Sequence, residues 1–118
     1  MPSAPDHFLL ICKTCQGEAH AQGLSDALFD RLPNGFSIRM VDCMAGCARP
    51  VIVGFQAVDK AQYLFGDILD TQDIQALTEF AHQYQNSADG WTNATERPEK
   101  LFTKTLSRMP QIQKGVCP

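Results

Sequence analysis

The chain has 118 residues, 44% of them hydrophobic and 19% charged, which predicts a single ordinary globular domain. Its net charge of -3 argues against nucleic-acid binding, because nucleic-acid binders usually present a basic face. No segment approaches the roughly 20 apolar residues that cross a bilayer, so we expect no membrane contact. The N-terminus lacks the basic region of a secretory signal, so we expect a cytoplasmic protein.

Two strands and one helix are predicted in the first part of the chain. Residues 8–11 form an apolar run of strand length, and the polar stretch 13–23 that follows is interpreted as a loop. Apolar residues then recur at helical spacing over 24–32, before the turn signal Pro-Asn-Gly at 33–35. Residues 36–41 alternate between apolar and polar side chains, which predicts a second strand.

The next part of the chain predicts a hairpin and a second helix. An apolar run at 51–53 and an alternating segment at 62–68 are interpreted as its two strands. An apolar stripe over 74–84 predicts a helix that Asp70 or Thr71 caps. The predicted fold class is therefore α/β, with the order β-α-β followed by β-β-α.

The chain beyond this unit differs in composition. We predict a main domain over residues 1–86 and a C-terminal extension over 87–118 that packs on the same domain, with Trp91 as its anchor. Arg97-Pro98 is typical of a helix start, and Met109-Pro110 of a helix end, so the extension is expected to be a short helix. That helix would carry three apolar residues: Leu101, Phe102 and Leu106.

Four of the five cysteines form two close pairs, and each pair follows a predicted strand. Cys12 and Cys15 follow the first strand, whereas Cys43 and Cys47 follow the second. Because the strands of a β-α-β unit are parallel, both pairs are expected at one edge of the sheet. In a reducing compartment such cysteines indicate metal binding or catalysis rather than disulfides. Cys117, close to the C-terminus, has no predicted role.

Four sulfur ligands suit tetrahedral zinc or an iron–sulfur cluster. Zinc ribbons favour two C-x2-C pairs joined by a short stretch, whereas in this chain the second pair is C-x3-C and a helix and a strand intervene. Ala45 and Gly46 would let main-chain amides turn towards the sulfurs, which favours a [2Fe–2S] cluster on Cys12, Cys15, Cys43 and Cys47. A zinc- or cobalt-binding module on the same cysteines is the alternative.

A third interpretation uses Cys12 and Cys15 as a thiol–disulfide couple. Redox C-x-x-C motifs sit where a strand passes directly into a helix, whose N-terminus activates the thiol. The polar stretch 16–23 would separate the motif from the helix, which argues against this chemistry. The three histidines are expected at the surface rather than as ligands: His7, His20 and His82.

Three segments carry a resemblance to a known family: "CMAGCARPVIVGF", "YLFGDI" and "DIQALTEFAHQY". They resemble the second half of the thioredoxin-like [2Fe–2S] ferredoxins, in which C-x3-C follows the second strand and a hairpin and a helix complete the domain. The whole chain is more similar to small bacterial predicted metal-binding proteins with an N-terminal C-x2-C. The first pair departs from the broader family, whose early cysteines stand further apart.

The resemblance implies a thioredoxin-like fold and a one-electron carrier or redox accessory protein rather than an enzyme. In the [2Fe–2S] interpretation, Cys12 and Cys15 bind one iron, and Cys43 and Cys47 bind the other. The expected partners are redox proteins, a reductase and an acceptor, and the expected assembly is a homodimer.

Overall fold

The computed structural model describes residues 6–13, 18–42, 51–68, 70–93 and 96–110. Over these residues the protein is a mixed α/β domain with five strands and two α-helices. In chain order, the elements are β1 (His7–Cys12), α1 (Glu18–Phe29), β2 (Phe36–Val41), β3 (Val53–Ala57), β4 (Gln62–Phe65), α2 (Thr71–Asn86), a 3-10 turn (Glu99–Leu101) and β5 (Thr105–Met109).

The five strands form one mixed sheet in the order β2-β1-β3-β4-β5. β1 pairs with β2 in parallel, with Cys12 opposite Val41, which confirms the predicted β-α-β unit. The pairs β1–β3, β3–β4 and β4–β5 are antiparallel. The predicted hairpin is confirmed, although β3 begins at Val53 rather than at residue 51, and β4 ends at Phe65 rather than at residue 68.

The hydrophobic core lies between one face of the sheet and the two helices. Leu9 of β1, Leu28 of α1 and Leu77 of α2 are fully buried in a single cluster, so both helices cover the same face. Phe55 of β3 belongs to the same cluster and makes an edge-on contact with Phe80 of α2, with ring centroids 4.9 Å apart. Such aromatic pairs add to the stability that comes from burial of apolar area.

The direction of the elements defines two rims of the sheet. The cysteine rim is the edge where β1 ends at Cys12 and β2 ends at Val41, and where β3 begins at Val53. Phe65, the last residue of β4, pairs with Val53 and therefore lies at the same rim. Both α1 and α2 begin shortly after a strand has ended at this edge, so their N-termini point to the cysteine rim. The opposite rim is the one where β1 begins at His7.

The first turn of α1 corrects the sequence interpretation. The polar stretch predicts a loop over residues 18–23, but α1 begins at Glu18. The polar side chains of this turn and the presence of Gly23 conceal it, because only the second half of α1 shows the apolar spacing. The cysteine-bearing segment between β1 and α1 is consequently short.

The predicted C-terminal helix is wrong. Within the described residues 97–110, the 3-10 turn Glu99–Leu101 is the helical part, and Leu106 lies in β5, which pairs with β4. Helical spacing of apolar residues cannot reveal this pairing, because the partner strand lies some forty residues earlier in the chain. Trp91 is also not the main anchor: it is 44% exposed, and its ring stacks on the Arg108 guanidinium of β5, 3.6 Å away.

Hydrogen bonds to Tyr63 of β4 anchor the beginning of the extension instead. The Tyr63 hydroxyl donates to the Gly90 carbonyl over 2.7 Å and accepts from the Thr92 amide over 2.9 Å.

Within the described part of the chain, neither α1 nor α2 is both long and apolar enough to span a bilayer.

Candidate metal centre at the cysteine rim

Of the four predicted ligands, Cys12 lies within the described residues and the other three lie outside them. Cys12 is the last residue of β1 and is 1% exposed. Cys15, Cys43 and Cys47 lie outside the described residues, in the segments 14–17 and 43–50. The geometry of the site is therefore defined by Cys12 and by the described residues on either side of those two segments.

One side of the site joins the starts of the two cysteine segments. The Lys13 amide donates to the Val41 carbonyl over 2.9 Å, continuing the parallel ladder one residue past Cys12. The Lys13 ammonium lies 3.6 Å from an Asp42 carboxylate oxygen. The residue before segment 14–17 and the residue before segment 43–50 are thus in contact. Exposed ion pairs of this kind contribute little stability, so the main-chain contact is the one that fixes the position.

The other side of the site joins Cys12 to the residues that follow the second cysteine segment. The Cys12 amide donates to the Ile52 carbonyl over 3.1 Å. Because β2 and β3 lie on opposite sides of β1, Asp42 and Val51 flank the end of β1. Two strand spacings separate them, which is about 10 Å. Segment 43–50 therefore leaves the described structure on one side of Cys12 and rejoins it on the other.

Two helix N-termini add partial positive charge at this rim. α1 begins at Glu18 and α2 begins at Thr71, each shortly after a strand that ends at the rim. The macrodipole of a helix favours negative charge at its N-terminus. The start of α2 is already capped, because the Asp70 carboxylate accepts from the Asp73 amide over 2.9 Å. This confirms Asp70 as one of the two predicted caps, and leaves α1 as the N-terminus nearer to the first cysteine pair in sequence.

A buried ion pair from the extension supports the same rim. The Lys104 ammonium donates to an Asp73 carboxylate oxygen over 2.9 Å and to the Asp67 carbonyl over 2.6 Å. Asp73 is fully buried. The loop that Lys104 holds includes Ile68, whose amide donates to the Val51 carbonyl over 3.2 Å. Lys104 therefore stabilises the loop that bonds to Val51, the first described residue after the second cysteine segment.

Sequence reasoning missed Lys104, because nothing local marks a lysine whose partner lies 31 residues away. The partner does carry a signal: an acidic residue three positions after an aspartate cap is typical of a capping box. The structure contains that box, since the Asp73 carboxylate also accepts from the Asp70 amide.

The histidines separate into two groups. His20 and His82 are exposed, as predicted. The surface prediction for His7 is wrong: it is buried at the opposite rim, with its Nε2 2.9 Å from the Lys60 ammonium. Within residues 6–13, 18–42, 51–68, 70–93 and 96–110, no three His, Cys, Asp or Glu side chains converge in a way that could hold a metal ion.

The cluster around His7 is a structural one. The Lys60 ammonium also donates to the Tyr84 and Gln85 carbonyls at the C-terminus of α2, over 2.8 and 3.0 Å, so its three protons are all used. Burial lowers the pKa of Lys60. On the other side of His7, Nδ1 lies 2.7 Å from an Asp6 carboxylate oxygen, and this hydrogen bond lowers the pKa of Asp6.

Fold and site together define a class: a small α/β domain with a five-stranded mixed sheet whose one rim carries the cysteine segments. The chain belongs to DUF1636, a family described as proteins of unknown function, whose model matches residues 9–111. The matched region contains the four paired cysteines and β5, and ends before Cys117. No curated protein matches the chain.

Proposed function

We propose that this protein is a thioredoxin-like [2Fe–2S] ferredoxin that passes single electrons between redox protein partners. Its ligands would be Cys12, Cys15, Cys43 and Cys47. The observation that carries the proposal is the position of Cys12 at the end of β1, with Asp42 in contact with Lys13 on one side and Ile52 bonded to Cys12 on the other. Each of the three remaining cysteines lies within a few residues of one of these contacts.

The fold supports the resemblance at the level of element order. Residues 7–86 follow the order β-α-β and then β-β-α, with β1 and β2 parallel. This is the arrangement that the likeness to thioredoxin-like ferredoxins implies. β5 is an addition to that unit, and it extends the same sheet beyond β4.

The residues at the rim fit a sulfur-bound metal centre. Cys12 is buried, so its sulfur is shielded from bulk water, and the N-terminus of α1 favours anionic ligands such as thiolates. When bound, a [2Fe–2S] cluster supplies a one-electron couple whose potential depends on exposure and on hydrogen bonds to the sulfurs. The chain itself holds the ligands, limits the access of water and presents main-chain amides.

The test is metal and sulfide quantitation on protein purified without oxygen. We expect two iron and two acid-labile sulfide per chain, with a red-brown colour that bleaches on reduction. Single Cys→Ser substitutions at 12, 15, 43 and 47 should each lower the iron content. Cys117→Ser is the matched control and should keep it. One zinc per chain with no sulfide would favour the zinc module, and colourless protein without metal after reconstitution would overturn the proposal.

A second candidate is a thiol oxidoreductase that uses Cys12 and Cys15. The observation that favours it is the start of α1 at Glu18, three residues after Cys15, because activated thiols occur at helix N-termini. The long separation that the sequence predicts is not present. A disulfide-reduction assay on metal-free protein tests this candidate. Activity that requires Cys12 and Cys15 but not Cys43 or Cys47 would support it over the ferredoxin.

A further inference from the structure

A cleft of about 330 Å³ opens between the N-terminal halves of α1 and α2, next to the cysteine rim. Its walls are mainly apolar, with Ala19 and Leu24 on α1, Ile68 on the loop before α2 and Ile74 on α2. Leu24 and Ile68 are buried in the hydrophobic core and Ile74 is half-buried against it, whereas Ala19 is exposed. The volume is at the lower end of the range of small-molecule sites.

Gly23 lines the cleft and borders open space. It lies in the interior of α1, where glycine is less favourable than alanine. Apart from its chain neighbours and the backbone of α1 itself, no described heavy atom lies within 4 Å of the position that its Cβ would take. Two other glycines pack closely. A Cβ on Gly54 would lie 3.3 Å from the Tyr63 carbonyl, and one on Gly90 would lie 2.9 Å from the Ala61 amide nitrogen. A side chain at Gly90 would therefore clash and one at Gly54 would make a tight contact, whereas at Gly23 a Cβ would meet open space.

Two polar side chains lie at the cleft, the imidazole of His20 and the carboxylate of Asp70. Asp70 accepts one hydrogen bond from the Asp73 amide, and a carboxylate can accept several. The full negative charge of Asp70 exceeds the partial positive charge, about half a unit, at the N-terminus of α2 that it caps. The described residues that form the lining include no lysine or arginine, so the cleft combines an apolar surface with a negatively charged group. A ligand with an apolar ring and an amino group matches this combination, whereas a carboxylate would face Asp70.

We propose that this cleft binds a small aromatic amine, with the ring against Leu24, Ile68 and Ile74 and the amino group at Asp70. This inference goes beyond the proposed electron transfer and does not depend on it. The site adjoins the cysteine rim, since Ile68 is bonded through its amide to Val51, directly after segment 43–50. A bound amine would therefore cover one approach to that rim.

Titration of the full chain with phenethylamine, followed by amide chemical shifts, tests the proposal. We expect saturable shifts in the first half of α1 and in residues 68–74, and none in β5. The matched probe is 3-phenylpropionate, which has the same ring and the opposite charge, and it should bind about tenfold more weakly. The absence of saturable shifts, or tighter binding of the carboxylate, would overturn the proposal.

Two variants at Gly23 locate the site. Gly23→Leu should abolish the phenethylamine shifts because its side chain fills the cleft, whereas Gly23→Ala adds one methyl group and should retain them. Both residues favour helix, so both variants should fold, which circular dichroism can verify. Asp70→Asn keeps an effective cap and removes the charge, so it should erase the preference for the amine over the carboxylate. Shifts that persist unchanged in Gly23→Leu would place the ligand elsewhere.

The same variants separate this proposal from the ferredoxin. Gly23→Leu should contain as much iron and sulfide as the wild type, because no proposed cluster ligand changes. Amine binding without a cluster would contradict only the ferredoxin, and a cluster without amine binding would contradict only the cleft.

Discussion

At the opposite rim of the sheet the chain is held by side-chain hydrogen bonds made within the protein, whereas the cysteine rim depends mainly on main-chain contacts between loop ends. The opposite rim joins Lys60 to three acceptors, and the Tyr84 hydroxyl to the Ala61 carbonyl. At the cysteine rim, the amides of Cys12 and Ile68 donate to the carbonyls of residues 52 and 51.

This difference shows that a group of His, Lys and Asp side chains is not by itself a functional site. The group formed by Asp6, His7 and Lys60 contains residue types that often carry catalysis, but its polar atoms bind one another and the end of α2. The cysteine rim has fewer such groups among the described residues, yet it gathers the ends of both cysteine segments. Substitutions at each rim test whether the two respond independently.

Gly90→Ala should have the largest effect, a loss of about 3–4 kcal/mol in the free energy of unfolding. Gly90 has a φ of 74°, and a Cβ there would lie 2.8 Å from the Tyr84 ring and 2.9 Å from the Ala61 amide nitrogen. Urea unfolding measures the loss. Alkylation of Cys12 in folded, metal-free protein should not change, because the damage is at the opposite rim. A loss below about 1 kcal/mol would show that this rim can relax.

Lys104→Met should cost about 3 kcal/mol, because it leaves the buried Asp73 carboxylate without its cation. In this variant the cysteine rim itself should respond, with faster alkylation of Cys12 measured by peptide mass spectrometry. Lys100→Met, at an exposed lysine in the 3-10 turn, is the control and should change neither quantity. Unchanged alkylation in Lys104→Met would break the proposed link between the extension and the rim.

Gly23→Ala should increase the free energy of unfolding by about 1 kcal/mol, because alanine is the better helix former and its methyl group meets none of the described residues. The result would contrast with Gly90→Ala, the same substitution at the other rim. Thermal or urea unfolding measures both variants. A decrease in the free energy of unfolding of Gly23→Ala would show that the methyl group does not fit and that the space at Gly23 is not open.

The smallest expected effect is that of Asp6→Asn on the pH dependence of the free energy of unfolding. The hydrogen bond from His7 places the folded-state pKa of Asp6 below its ordinary value of 3.8, so the ionised carboxylate stabilises the fold. That contribution is complete above pH 3.8 and is lost as the pH falls through the lower folded-state value. Asp6→Asn should therefore be slightly less stable than the wild type at neutral pH and equal to it at low pH. A difference that persists in acid would contradict this assignment.

Much of the fold follows from local patterns in the sequence. The alternation in β2 and the apolar stripe of α2 predict those elements, and the Asp70 cap marks where α2 begins. The first turn of α1 escapes this reasoning because its residues are polar and include a glycine. β5 escapes it because its half-buried residues owe their strand geometry to pairing with β4.

The site is predictable to a similar degree. The β-α-β order predicts parallel pairing of β1 and β2, and this pairing brings Cys12 level with Val41, two residues before Cys43. The burial of His7 and the pairing of Lys104 with Asp73 are not predictable. Both depend on partners at least 31 residues away, and a single sequence contains no local trace of such contacts.

The pairing of β5 with β4 has a practical consequence for anyone who shortens this protein. A truncation after residue 86 would keep every paired cysteine. It would also make β4 an exposed edge strand, with a row of unpaired main-chain groups beside Tyr63 and Phe65. Exposed edge strands pair with other chains and promote aggregation. β5 covers this edge of β4, so insoluble material from a shortened version would reflect the loss of β5 rather than damage at the cysteine rim.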